Sequence, residues 1–160
     1  MQYGPSLPVF REIGGESING VIYSTVIGGL PDEFAANYRE AYKAKFGATA
    51  SWLTGSQTYD ALWMYSIAAA VAGGPGEPFD GEQARKIAAI LKRMVYRGAS
   101  GSFRFDQEGL VALSYPTQVK DPSLGLPHQF LQHQDYRTEP RMIGPALYAT
   151  DEFLLPPWLS

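Results

Sequence analysis

The segment Thr58-Tyr59-Asp60-Ala61-Leu62-Trp63-Met64-Tyr65-Ser66-Ile67-Ala68-Ala69-Ala70-Val71-Ala72 decides the reading of this chain. It has the length and composition of a helix, carries one charge at Asp60, and is apolar on nearly every side. Such a helix has to be covered from several directions. It is shorter than the roughly 20 residues needed to cross a bilayer, so it reads as a buried helix. Gly73-Gly74-Pro75-Gly76 stops it.

Working outward, Pro31 to Phe46 repeats Phe34, Tyr38, Tyr42 and Phe46 at helical spacing. Asp32 and Glu33 stand at its positive end, Lys43 and Lys45 at its negative end, and Gly47 follows. Gly20 to Ile27 is rich in β-branched residues between glycines and predicts a buried strand. Ser6 to Ile13 predicts a short helix, with Ser6 as its cap and Pro8 in its first turn. Ala48 to Thr54 alternates weakly and is expected to be a short strand.

On the other side, Asp80 opens a helix with Gln83 in the capping-box position. Ala84, Ile87, Ala88 and Leu91 form its buried stripe, and Arg85, Lys86, Lys92, Arg93 and Arg97 a basic, solvated face. Ser102 to Asp106 and Leu110 to Val119 alternate around Gln107-Glu108-Gly109, as two strands joined by a tight turn would. The proline- and aromatic-rich remainder reads as an ordered, irregular tail. Strands alternating with helices, then further strands, give the α/β class.

Composition narrows the chemistry. The 160 residues are 45% hydrophobic, enough for a core, and 18% charged, too few for a coiled coil. A net charge of −3 without a basic run gives nucleic acid no footprint. Without cysteine there is no thiolate metal site, disulfide or Cys nucleophile. His128 and His133 are five apart, with Asp135 the only close carboxylate; they read as surface or turn histidines, and no metal or cofactor is implied. Ser56 or Ser66 paired with a histidine would make a hydrolase, but no Gly-x-Ser-x-Gly elbow is present, and the reading is non-catalytic. Asp32-Glu33 and Asp151-Glu152 read as helix-start charges. Gly14-Gly15 and Gly28-Gly29 match no nucleotide-binding motif. Met1-Gln2-Tyr3-Gly4-Pro5 lacks the basic and apolar regions of a signal peptide. Ten tyrosines, eight phenylalanines and three tryptophans suit a cleft for a small polar–apolar ligand.

The order of features resembles a known family. Gly20-Val-Ile-Tyr-Ser-Thr-Val, then Phe34-x3-Tyr38-x3-Tyr42-x3-Phe46-Gly47, the Thr58-Tyr59-Asp60-Ala61-Leu62 helix opening, and Gly98-x2-Gly101-x-Phe103-x-Phe105-Asp106-x2-Gly109 together resemble the C-terminal half of type I periplasmic solute-binding proteins. The flavour is that of the branched-chain amino acid (Leu/Ile/Val-binding) family of ABC importers. The resemblance covers about residues 4 to 119.

The resemblance implies a portion of a two-lobed α/β sandwich of parallel sheets flanked by helices. Residues 1–47 would belong to the second lobe and 48–111 to the first. Residues 112–160 would return to the second lobe and add the tail. It implies capture of an amino acid or amide by hinge closure, delivery to the membrane subunits of an ABC importer, and a periplasmic location. An amide-type sensor of the same fold is the alternative. Tyr3, Thr54, Gly55 and Tyr59 match ligand-facing positions, with Tyr3 standing where the family often has a carboxylate. A complete clamp needs about 150 residues for each lobe, so the chain reads as a fragment whose partner is the missing N-terminal half. Self-association through uncovered apolar surface is expected.

Overall fold

The computed structural model describes residues 4–48, 50–106 and 108–159. Four α-helices run through the chain: α1 (Pro8–Gly14), α2 (Glu33–Phe46), α3 (Trp52–Val71) and α4 (Gly81–Leu91). The strands are β1 (Ile22–Thr25), β2 (Val95–Arg97), β3 (Ser102–Arg104), β4 (Ser114–Tyr115), β5 (Leu126–Pro127), β6 (Gln129–Gln132) and β7 (Arg141–Gly144).

Helix starts follow local chemistry. The Asp32 carboxylate accepts the Ala35 N–H at 2.9 Å, which makes it the cap of α2 as well as a charge at the dipole. Asp80 accepts the N–H groups of Glu82 and Gln83 at 3.0 and 3.1 Å. Gln83 does not complete a capping box. Its amide donates to the Ala72 and Gly74 carbonyls at 3.0 and 2.6 Å, tying the end of α3 to the start of α4. In α1 the cap position is Leu7, with no side-chain bond, rather than Ser6.

Two expected elements change. Ala48 to Thr54 holds no strand among its described residues, because α3 begins at Trp52. The Ala50 N–H turns back to the Gly47 carbonyl at 3.1 Å, and the Gly55 N–H bonds the Ser51 carbonyl at 3.1 Å. The segment thus satisfies its own backbone by curling, and no partner strand is needed. The expected hairpin of 102–119 shrinks to a single bridge, Phe105 to Ala112. β3 pairs instead with β2, Val95 opposite Arg104 and Arg97 opposite Ser102, around a turn closed by Gly98 N–H to the Gly101 carbonyl at 2.8 Å.

The tail is more regular than its composition suggests. β6 pairs antiparallel with β1, Ile22 opposite Gln132 and Thr25 opposite Gln129, and with β7 on its other edge. The order is β1-β6-β7. Pro127, Pro140 and Pro145 lie outside β6 and β7, and the β6–β7 ladder carries a register shift between Phe130 and Leu131. β4 and β5 form a short parallel pair.

α3 is inverted. Its buried stripe is Ser56, Asp60, Met64 and Ala68, four residues apart, with Ala69 beside it. The opposite face carries Leu62, Trp63, Tyr65 and Val71, which are 64%, 49%, 46% and 69% exposed. The helix is therefore covered on one side and not on several. Met64 packs with Phe103 and Leu126, and Ala68 and Ala69 with Ile87 of α4.

Asp60 fastens that stripe. Its two oxygens accept the Ala99 and Ser100 N–H groups at 2.7 and 2.8 Å, all fully buried. Gly98 allows the approach, since a Cβ there would collide with the Asp60 carboxylate. Ser100 Oγ donates to Ser56 Oγ at 3.0 Å, extending the same knot. Asp60→Ala leaves two buried donors unpaired, and the expected loss is about 2–5 kcal/mol. Asp60→Asn keeps one acceptor and should lose less. Urea denaturation with an unchanged m-value measures both; a loss for Asp60→Ala within 0.5 kcal/mol or so of zero, the usual surface-substitution range, would refute the assignment.

Candidate ligand-binding site

The first two turns of α2 stand over the β6–β7 hairpin and leave a cavity of about 810 Å³. That volume lies in the range of small-molecule sites. β6 and β7 contribute Gln129, Leu131, Arg141 and Met142. α2 contributes Asp32, Ala35, Ala36 and Arg39, and α1 contributes Arg11. Trp52 and Leu53, at the start of α3, close one wall. Gln129 is fully buried and donates to the Gly29 carbonyl at 2.9 Å, which holds the loop after β1 against the hairpin.

Three arginines, Arg11, Arg39 and Arg141, and three carboxylates, Asp32, Glu139 and Asp151, line this cavity. Asp32 is bonded to Arg97, and Glu139 to Lys43 at 2.6 Å, and neither of those cations lines the cavity. Asp151 accepts a bond from the Thr150 hydroxyl at 2.9 Å. Arg11 and Arg141 make no ion pair with the described residues. Arg39 Nε lies 3.4 Å from the Glu40 carboxylate, on a side chain 71% exposed, and that atom is buried without a hydrogen bond. The Arg39 guanidinium sits over the Trp52 ring, 5.7 Å from its centroid. Burial pushes the Glu139 carboxyl up, but the bond and charge of Lys43, with the charges of Arg39 and Arg11, outweigh it and hold its pKa below the ordinary value.

The sequence-predicted residues fall elsewhere. Tyr3 lies outside the described residues. Thr54 is exposed on the first turn of α3, its hydroxyl 3.2 Å from that of Ser51. Gly55 faces the Tyr42 ring at a spacing that leaves no room for a Cβ. Tyr59 packs on Tyr38, ring centroids 5.1 Å apart, and on Trp63 at 6.3 Å. The fold thus brings Gly55 and Tyr59 together on an aromatic seam between α2 and α3, with Thr54 outside it. None of the three lines the cavity. Arg11, Arg39 and Gln129 were not singled out from sequence, where they are ordinary members of helix and strand segments.

The sequence reading of one polar residue changes. His133 is fully buried and not a surface histidine. Its Nε2 lies 3.0 Å from the Pro5 carbonyl, and its ring packs between Phe10 and Tyr23 at 5.5 and 5.6 Å. Ser56 is fully buried and donates to the Leu53 carbonyl at 2.7 Å, so its hydroxyl serves packing and not nucleophilic attack. Among the described residues no cluster of three or more His, Asp or Glu could hold a metal.

No family model and no curated protein match the chain. Solved structures do, among them the following two. A protein described as a branched-chain amino acid ABC transporter, from Silicibacter pomeroyi, is 45% identical, with a TM-score of 0.88 over 98% of this chain. The chain has the type I periplasmic-binding-protein fold. It spans about 40% of the length of that relative. A leucine binding protein from Thermotoga maritima shares the fold at 24% identity and a TM-score of 0.52, over 78% of this chain and 30% of that one. The portion of the fold present here includes the parallel β4–β5 pair and the antiparallel β1-β6-β7 sheet.

The buried histidine makes stability depend on pH. Desolvation lowers the His133 pKa below 6.5, against the weaker opposing effect of the Pro5 carbonyl and with a further lowering by Arg11. The folded state therefore binds fewer protons than the unfolded one just below that pH. This contribution is complete above pH 6.5 and is lost as the pH falls toward the depressed folded value. Thermal melts should show Tm declining from about pH 6.5 to about pH 5. His133→Gln, which can still donate to Pro5, should flatten that slope. A slope identical in the variant would assign the dependence to other groups.

Proposed function

We propose that this chain belongs to the solute-binding component of an ABC-type importer for branched-chain amino acids or related amino-acid or amide solutes. The observation that carries the proposal is the 45% identity and TM-score of 0.88, sustained over 98% of the chain, to the Silicibacter pomeroyi protein. The role is capture, not catalysis, and the buried, internally bonded Ser56 agrees with that. The periplasm is the compartment such a component works in. No helix among the described residues is long and apolar enough to cross a membrane.

In this reading two lobes close on the solute, and closure is favoured because the closed state binds it better. Residues 1–47 and 112–160 form the second-lobe part and 48–111 the first. Support for the grouping comes from the β1-β6-β7 sheet, which joins the first segment to the last. Thr54, next to the cavity-lining Leu53, and Gly55 and Tyr59 beyond it, are proposed as outer contacts of the solute, with Tyr3. The importer's membrane subunits and the N-terminal half of the clamp are the proposed partners. The exposed apolar face of α3 is the surface that half would cover.

Calorimetry on the whole protein should show leucine, isoleucine or valine binding with a Kd near ~1 μM, about −8 kcal/mol. Absence of heat with all three and with their amides would end the transport reading. A second expectation concerns the 160-residue chain by itself. Sedimentation velocity should show concentration-dependent self-association, relieved by Leu62→Glu with Val71→Glu. A stable monomer at every concentration would show that the α3 face needs no cover.

A further inference from the structure

We propose that α1 is an acid-released wall of the cavity, held in place by His133 in its neutral form and detached when that ring takes up a proton. Its bearing on the solute rests on the solute-capture reading above. The attachment of α1 is narrow. The helix has no buried residue and packs chiefly on the 3-10 turns that flank it, Gly4–Ser6 and Gly15–Ile18. This segment meets His133, the residue after β6, at two points. Phe10 packs on the imidazole ring with centroids 5.5 Å apart, and Nε2 lies 3.0 Å from the Pro5 carbonyl. A carbonyl only accepts, so the neutral ring carries its proton on Nε2. Nδ1 is then a bare lone pair, buried without a hydrogen-bond partner. The same segment lines the cavity with Ser6, Pro8 and Arg11, so detachment of α1 opens that wall.

Protonation would turn Nδ1 into a charged donor with nothing to receive it. The surrounding groups offer no compensation. On β1, Tyr23 stacks at 5.6 Å, and burial raises its pKa, so it stays neutral. On α1, Arg11 is already a cation and opposes a second charge. In the β6–β7 loop, Glu139 acts on Tyr23 and is bound to Lys43 at 2.6 Å. The Pro5 carbonyl is engaged by Nε2. An unpaired buried charge is costly, and the least anchored side opens first. That side is α1 and not the β1–β6 ladder. The docked state therefore binds fewer protons than the detached one. Docking is complete above the ordinary histidine range and is lost as the pH falls toward the lowered docked value. For one proton the docking equilibrium falls by at most about tenfold per pH unit. A solute that needs the α1 wall weakens by the same factor once the detached state predominates.

Hydrogen exchange on the whole protein, read by mass spectrometry from about pH 7.5 to about pH 5 and corrected for intrinsic rates, tests the detachment. Peptides covering 8–14 should lose protection by up to about tenfold per pH unit at the acid end, while those covering β6 keep theirs. Leucine, titrated by calorimetry over the same range, should weaken in parallel. His133→Gln, which still donates to Pro5 but takes up no proton, should flatten both dependences. Arg11→Gln removes the opposing charge and should shrink the loss of protection; it carries the comparison should His133→Gln not fold. Loss of protection in 8–14 and β6 together, or a loss that both variants leave intact, overturns the proposal. Leucine affinity that stays constant while α1 detaches overturns its role as a wall. Leucine binding at no pH refutes solute capture instead, and exchange then decides the fate of α1 by itself.

Discussion

Two backbone N–H groups, at Ala99 and Ser100, meet one buried carboxylate, at Asp60, and the arrangement of the molecule follows from that meeting. A buried charge is tolerated only where hydrogen bonds satisfy it. The turn of 98–101 supplies them, and Gly98 brings the backbone close enough to do so. Ser100 then reaches Ser56, and Ser56 reaches the Leu53 and Gly28 carbonyls. One short polar chain thus joins the start of α3, the loop after β1 and the β2–β3 turn. These segments are far apart in sequence, and each would otherwise leave backbone groups unpaired.

The same knot explains the orientation of α3. If polar and small residues must face inward at positions 56, 60 and 68, then the large apolar residues between them must face outward. Leu62, Trp63 and Val71 are exposed for that reason. An apolar helix face of this size is costly in water. In the reading proposed above, it is the surface that the other half of a two-lobed clamp would cover.

The cavity depends on a second set of ties, independent of the first. Gln129 fixes the loop after β1, and Lys43 fixes Glu139 at the edge of the hairpin. Glu139 is also acted on by the charges of Arg39 and Arg11, so the acids and arginines of the cavity are coupled to one another. Charge partition of this kind is invisible in the near-neutral composition, where thirteen basic and sixteen acidic residues almost cancel. Only the assignment of partners in space shows which charges meet.

Local chemistry in the sequence determined the α/β class, the helices starting near Asp32 and Asp80, the strand at 22–25 and the family resemblance, because caps, periodicity and β-branched runs act over a few residues. It also marked the Thr58–Ala72 segment as the central helix, though not where that helix begins. What only the tertiary structure decided are contacts of long separation. Asp60 meets residue 100 forty positions on, and Gln129 meets Gly29 a hundred positions back. The side of α3 that faces the core depends on the first of those contacts, since an all-round apolar pattern has no preferred face. The burial of His133 depends on Pro5, Phe10 and Tyr23 arriving around it. Periodicity reports a residue's own element, whereas a cavity and its charge are properties of elements brought together, and chain folding alone supplies that conjunction.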